Sequence, residues 1–172
     1  MTLRPALVSL LVALTGCALL APRPDPSRFF VLTPLAPADA PPPTVPLSDA
    51  IGLGPVTLPG YLRRPELAAR VAPNQVEFSA FVRWGEPLDA NVTRVLARNL
   101  SLLLGTEHVV PFPWFGTLQP GQTVEVDVQQ FERQADGTVR LVAGWHVHDA
   151  RTHAVVAVHE TSLTEPAAPK AG

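Results

Sequence analysis

The sequence predicts an α+β fold, in which one long helix packs on a face of a mixed, largely antiparallel sheet within a single domain. Two patterns predict this fold. An apolar stripe at helical spacing lies in the middle of the chain, and three segments of alternating apolar and polar residues follow it. The helix must bury its stripe, and the apolar face of a sheet is the natural partner. The length of 172 residues suits one domain of ordinary size.

The first half of the chain predicts short strands joined by proline-rich connections. Four segments with β-branched or alternating residues predict strands: 28–33, 49–56, 69–72 and 75–82. Residues 34–48 have little to bury and predict a long solvated loop. Pro55 favours an edge position or a bulge in the second strand. Residues 63–68 predict one helical turn that begins near Pro65.

The segment 75–82 also predicts which side chains share a face of its strand. Val76, Phe78 and Ala80 fall on one face, and Glu77, Ser79 and Phe81 fall on the other. The preceding segment 69–72 and this one predict a hairpin that turns at Pro73 and Asn74.

Residues 87–104 predict the long helix. Its apolar stripe consists of Val92, Val95, Leu96, Leu100 and Leu103. Arg94, Arg98 and Asn91 are placed on the polar side. Gly105 suits the left-handed position that ends many helices.

The chain after the helix predicts a short strand and then a three-stranded meander. The predicted strands are 107–111, 123–133, 139–148 and 154–163. Asp136 and Gly137 form a hairpin turn signal between the second and third of these. In 123–133 the valines 124, 126 and 128 face one side, and Glu125, Asp127 and Gln129 face the other.

The N-terminal residues predict export and lipid attachment. Arg4 precedes the apolar run 5–14, which is too short to cross a bilayer and is typical of a signal peptide. Leu14, Thr15, Gly16 and Cys17 follow as a lipobox, and Cys17 is the only cysteine of the chain. In bacterial lipoproteins this cysteine carries acyl chains and becomes the first mature residue. The alternative is a cleaved signal followed by a free thiol.

These features predict the organisation of the chain. Residues 1–16 form the signal peptide, 17–27 a lipidated proline-rich tether, 28–164 the folded domain and 165–172 a disordered tail. Ala18 replaces the aspartate that commonly retains lipoproteins at the inner membrane, so the outer membrane is favoured.

Charge and motifs exclude several classes of function. The 15 acidic and 13 basic residues give no polycation for nucleic acid. The chain has no nucleophile elbow, Walker loop or dinucleotide fingerprint. We therefore predict a protein that is not an enzyme and has no cofactor.

Histidines and one glutamate leave two chemical alternatives open. His146 and His148 lie two apart on a predicted strand and share a face, with His153 near the turn and His159 on the opposite face. A metal site needs three or four converging ligands, so solvated surface histidines are favoured and no metal ligand is assigned. Glu86, close to Arg83, is either a catalytic acid or one half of an ion pair at the start of the helix, and the ion pair is favoured.

Aromatic residues in predicted loops are the more suggestive feature. Tyr61 and the residues 112–115 either close the ends of the core or form a protein–protein contact, because tyrosine and tryptophan dominate interface hot spots.

Three groups of residues together resemble the ABC-type transport auxiliary lipoproteins, and within them the PqiC-like group. The first group is 51–56 with Pro59, Gly60, Tyr61, Leu62, Arg64, Pro65 and Arg70. The second is Phe81, Arg83, Trp84, Glu86, Pro87 and Leu88 with the helix residues 94–97, 99 and 100. The third is Pro113 and Trp114 with the strand from Val124 to Phe131. The resemblance covers the chain from the lipobox to about Leu163.

The resemblance implies an outer-membrane lipoprotein that faces the periplasm of a Gram-negative bacterium. Its implied partner is a PqiB-like MCE-domain protein, with which it forms a conduit for phospholipid or other hydrophobic molecules. It also implies a homo-oligomeric ring. Tyr61, Arg83, Trp84 and Trp114 are the candidate contacts to the partner or to neighbouring subunits. Two alternatives are a structural envelope lipoprotein without a transport role and a metal-dependent periplasmic enzyme.

Overall fold

A computed structural model describes residues 25–41, 49–114 and 119–167. The predicted signal peptide, Cys17, most of the tether, part of the 34–48 loop, Phe115 and the last five residues lie outside the described residues. The described strands are β1 Arg28–Phe30, β2 Ile51–Thr57, β3 Glu66–Ala72, β4 Gln75–Trp84, β5 Val109–Pro111, β6 Gln122–Gln134, β7 Thr138–Asp149 and β8 Val155–Pro166. The helix α1 spans Leu88–Leu104, and short 3₁₀ turns occupy Pro37–Asp39 and Gly60–Arg63.

The eight described strands form one mixed sheet organised around β6. On one side β6 pairs antiparallel with β7, and β7 pairs with β8, which confirms the predicted meander. On the other side β2 and β3 lie end to end along β6, and both are parallel to it. β5 extends the sheet beyond β2, while β4 and then β1 extend it beyond β3.

The chain between β2 and β3 differs from its prediction. The helical turn predicted at 63–68 is wrong, because β3 begins at Glu66 and the 3₁₀ turn ends at Arg63. Arg64 is extended, with φ −78° and ψ 150°. A proline disfavours helical backbone in the residue before it, so Pro65 ends the turn rather than beginning one. The bulge predicted at Pro55 is confirmed, since the β2–β6 register shifts between Leu53 and Val56.

The helix α1 ends as predicted, with Gly105 in the left-handed conformation at φ 64° and ψ 32°. It contacts β2 and β5. Leu88 and Asn91 are its buried residues, whereas the predicted apolar stripe is only partly covered and Leu103 is 37% exposed. Part of that stripe therefore remains at the surface of the described chain.

Asn91, which the pattern places on the polar side of the helix, is nevertheless buried, with 1% exposure. The chain after β1 covers it, and the amide of Leu32 donates to Asn91 Oδ1 at 3.0 Å. Asn99 accepts in the same way from the amide of Leu35 at 2.8 Å. The two asparagines hold the segment after β1 against the helix.

The buried core lies where the 3₁₀ turn, β3, α1 and the meander meet. It contains Leu58, Leu62, Ala68, Leu88, Val128 and Ala143. No helix in the described part of the chain has the length and hydropathy required to span a bilayer.

Candidate interaction site

An exposed apolar patch lies where the first described strand joins the sheet. β1 pairs in parallel with β4, so that Phe29 lies opposite Arg83. Phe81 precedes Arg83 by two residues in β4. Val31 follows β1, and a Cβ atom built on Gly85 falls 3.1 Å from Val31 Cγ1 and 3.9 Å from Phe29 Cβ, so Val31 and Phe29 lie beside each other at the end of β4. Phe29 is 64% exposed, and Val31 and Phe81 are each 54% exposed. We call Phe29, Val31, Phe81 and Arg83 the N-terminal edge patch.

Arg83 is the polar member of this patch. Its Nε atom is buried and has no hydrogen-bond partner among the described residues. A buried donor without a partner costs free energy, so native proteins rarely leave one unused. Arg83 Nε is therefore an exception among the buried polar atoms of the described residues.

Trp84 lies on the opposite face of β4 from Arg83. Its ring stacks on Phe131 with centroids 5.8 Å apart and an interplanar angle of 22°. It also packs against the buried core. The described contacts of Trp84 are thus internal ones that close one end of the core.

Tyr61 takes part in a partly buried polar network with a residue that sequence reasoning missed. Its hydroxyl donates to Glu132 Oε2 at 2.7 Å, and Arg70 Nε and Gln130 Nε2 each donate to Glu132 Oε1 at 2.7 Å. Glu132 is only 3% exposed. The carboxylate thereby ties the 3₁₀ turn and β3 to β6.

The network shifts the pKa values of its members. Burial alone raises the pKa of Glu132, but hydrogen bonds from Gln130, Tyr61 and Arg70 outweigh it, so the pKa lies below its ordinary value. Burial, together with the neighbouring carboxylate of Glu132, raises the pKa of Tyr61 to about 12. Glu132 is therefore ionised and Tyr61 protonated at neutral pH.

Trp114 anchors the end of β5 against β2. Its Nε1 donates to the carbonyl of Val110 at 2.9 Å. A Cβ atom built on Gly52 falls 2.7 Å from Trp114 Cε2 and Cζ2, so the indole lies directly on the glycine backbone. Trp114 also contacts Phe112 edge to face, with ring centroids 5.3 Å apart.

Phe112 in turn lines an open groove between α1 and the strands β2 and β5. The groove has a volume of 580 Å³. Two charged residues, Asp89 and Arg94, line the groove. The other lining residues are apolar or small: Leu53, Gly54, Pro55, Val56, Ala90, Thr93, Ala97, Pro111 and Phe112. Phe112 is 50% exposed. Such a volume lies in the range of sites for small ligands and short peptide segments.

Glu86 precedes α1 by two residues and contacts Arg94, which lines this groove. It forms an ion pair with Arg94 and accepts a hydrogen bond from Asn91 Nδ2. The ion pair expected at the start of the helix is present, with Arg94 rather than Arg83 as its cation. These contacts position the helix, because they connect its first turns to the residue that precedes it.

We expect Gly52→Ala to destabilise the protein by about 1–3 kcal/mol, because the added methyl group overlaps the Trp114 indole. Urea unfolding of the full chain in mild detergent, followed by tryptophan fluorescence, measures the change. Gly60→Ala is the matched control, since a Cβ atom there meets nothing within 4 Å. Equal stability of the two variants would show that the indole moves aside without cost.

Comparisons with known proteins identify relatives of this fold. A family model described as the ABC-type transport auxiliary lipoprotein component matches residues 30–171. A crystal structure of a DUF330 protein from Xanthomonas campestris superposes with a TM-score of 0.70 at 14% identity, covering 81% of this chain and 78% of that one. A second crystal structure, of an uncharacterized protein, gives a TM-score of 0.63 at 18% identity and covers 81% and 80% of the two chains. A search of curated proteins finds no match.

Proposed function

Because the chain belongs to the ABC-type transport auxiliary lipoprotein family, we propose that it is the outer-membrane-anchored subunit of an MCE-type intermembrane lipid transport system. The observation that carries this proposal is the family match over residues 30–171, which confirms the resemblance found from the sequence. In this role the protein docks a PqiB-like conduit at the outer membrane and performs no chemistry itself. Any ATPase belongs to another subunit.

The anchor in this proposal is Cys17. Its acyl chains hold the protein at the periplasmic face of the outer membrane, since two or more chains bind a bilayer stably. The residues between Cys17 and Arg28 span at most roughly 36 Å when extended. This tether keeps the N-terminal edge patch, which contains the first described strand, within a short distance of the headgroups.

We assign the contact between neighbouring copies to two different edges of the sheet. β1 is one edge of the sheet formed by the described residues and carries the N-terminal edge patch. β8 is another edge of that sheet, and its Val155, Val156 and Val158 are 56–59% exposed. Unpaired strand edges are ready sites for association. Contact between two unlike surfaces generates a ring when the rotation closes. This supports the homo-oligomeric ring.

We assign the contact with the MCE partner to the groove beside α1. The groove is mostly apolar, and Trp114 contacts its exposed Phe112 edge to face. Of the four candidate contacts, Trp114 then acts by positioning Phe112, and Arg83 contacts a neighbouring copy. Tyr61 and Trp84 act indirectly, because their internal contacts with Glu132 and Phe131 stabilise the domain that carries these sites.

The test is a pull-down of the affinity-tagged full chain from membranes extracted in mild detergent, with mass spectrometry of what copurifies. We expect an MCE-domain protein, and we expect Cys17→Ala to lose it because the chain is no longer held at the membrane. Phe112→Ala should reduce its recovery, whereas Phe29→Ala should leave recovery intact and lower the oligomeric mass.

Recovery of the acylated lipoprotein alone would contradict the transport role and favour a structural envelope lipoprotein. Equal recovery with Phe112→Ala and wild type would remove the groove from the partner contact. Because Phe112 and Phe29 are both at least 50% exposed, these variants are expected to fold.

A further inference from the structure

Two histidines and a glutamate converge on one face of the β6–β7 pair. Glu125 lies directly opposite His146 in the antiparallel register. His148 lies two residues beyond His146, so its side chain points to the same face. Each of the three residues offers one ligand atom, and these atoms all lie within 4.8 Å of one another.

The other histidines of the meander do not join this cluster. His159 lies opposite Trp145 in β8 and stacks on its indole at 4.5 Å, on the other face of the sheet, as the sequence predicts. His153 lies in the turn before β8 with φ 58°. Sequence reasoning did not identify Glu125 as a ligand. The alternation of apolar and polar residues in β6 predicts only that Glu125 lies on a solvated face.

The distances in the cluster suit a shared ion better than a direct hydrogen bond. His148 Nε2 and Glu125 Oε2 lie 3.7 Å apart, too far for a hydrogen bond. Two ligands of a tetrahedral zinc ion, each with a bond of about 2.0–2.1 Å, lie roughly 3.3–3.4 Å apart. Glu125 is 46% exposed and is therefore free to adjust by such a small amount.

A second observation supports a ligand at this place. His148 Nε2 is buried and has no hydrogen-bond partner among the described residues. The atom faces Glu125 across the 3.7 Å gap, and the ring of His146 lies at 89° to that of His148. A cation placed among the three side chains satisfies this nitrogen.

We propose that Glu125, His146 and His148 bind one divalent transition-metal ion, with Zn²⁺ as the best match. Imidazole nitrogens with one carboxylate form a ligand set that zinc uses, whereas Mg²⁺ and Ca²⁺ require oxygen ligands. Three protein ligands leave a coordination position for water. The ion cross-links β6 to β7 next to the edge strand β8, so metal binding stiffens the meander. This proposal does not depend on the transport role.

The experiment measures Zn²⁺ binding to the full chain in mild detergent, purified with a tag that contains no histidine. Equilibrium dialysis followed by elemental analysis gives the stoichiometry and affinity, and Co²⁺ absorption reports a tetrahedral site of nitrogen and oxygen ligands. We expect one ion per chain. His146→Gln and His148→Gln should each weaken binding by more than the roughly 10–100-fold that follows loss of an outer-shell partner.

His108→Gln is the matched control, because His108 is exposed and lies outside the cluster. It should bind zinc as the wild type does. Absence of stoichiometric zinc binding, or equal affinity of His146→Gln and wild type, would overturn the proposal. His146 is exposed, so its variant tests the site even if His148→Gln fails to fold.

Discussion

Arg70→Ala is expected to lower the free energy of unfolding by about 3 kcal/mol, because it leaves the carboxylate of Glu132 buried without its cation. Arg70 Nε lies 2.7 Å from Glu132 Oε1, and the Glu132 side chain is fully buried. The value lies at the lower end of the range for broken buried ion pairs, since Arg70 is 25% exposed and water reaches its site. Urea unfolding at neutral pH measures the loss.

Arg64→Ala provides the comparison for this variant. Arg64 pairs with Glu66 at 3.3 Å and lies 4.3 Å from the centroid of the Phe78 ring, but its side chain is 55% exposed, so its removal should cost less than about 2 kcal/mol. If the two arginine variants lose the same small amount, the proposed role of Glu132 as a buried anchor is wrong.

The pH dependence of unfolding provides an independent check on the same network. Glu132 has a lowered pKa in the folded protein, so its contribution is present above the ordinary value of 4.5 and is lost as pH falls through the lowered pKa. Arg70→Ala removes one cause of the lowering. The pKa of Glu132 in the unfolded chain is the same in both proteins, so the fall in stability on acidification should be smaller in Arg70→Ala than in the wild type.

Leu53→Ala is expected to destabilise the protein by about 2–5 kcal/mol, because it opens a cavity at the most buried apolar position described. Leu53 has 0% exposure. It lies between Val124 on one neighbouring strand and Pro111 on the other, so two strands from other parts of the chain flank it. Urea unfolding measures the change. The slope of the unfolding free energy against urea concentration shows whether the transition stays two-state.

Leu163→Ala is the matched control for the cavity. Leu163 is 53% exposed in β8, so the same truncation should change stability by no more than about 0.5 kcal/mol. A loss at Leu53 as small as that at Leu163 would mean that the strands collapse onto the vacated space.

Local patterns predicted the meander and the helix well, because their signals lie within short stretches of sequence. Alternation in 123–133 and 139–148 predicted the β6–β7 pair, and Gly105 predicted the end of α1. Pairing between distant segments has no such local signal. That β2 and β3 share one side of β6 depends on register between strands far apart in the chain, which alternation does not encode.

Two buried polar residues show why side-chain environment was harder to predict. Asn91 was placed on the polar side of α1 correctly as a helical position, but the chain after β1 covers that side. Glu132 follows a bulge between Val128 and Gln130, which shifts the alternation of β6. In both cases a contact with a distant segment decided the burial.

The candidate interaction site was predictable only in part. Arg83 and Trp114 came from the family resemblance, and the structure connects Trp114 to Phe112 and the groove. Phe81 carried a usable signal, since it is an aromatic residue on the face that also holds Glu77 and Ser79. The sequence around Phe29 gave no such signal, because a short apolar strand does not indicate which of its faces packs against the core.

The position of β2 and β3 along β6 also has a consequence for how the chain matures. Thr57 and Asp127 lie in register although 70 positions separate them in the sequence. Synthesis delivers the amino-terminal half first, so β2 and β3 must wait for β6 before either can pair with it. During that interval β3 can pair with β4 and β2 with β5, but the backbone groups that later bond to β6 are open to mispairing with other chains. A chaperone that shields β2 and β3 until residue 134 has emerged would therefore act at the most vulnerable stage of this protein's folding.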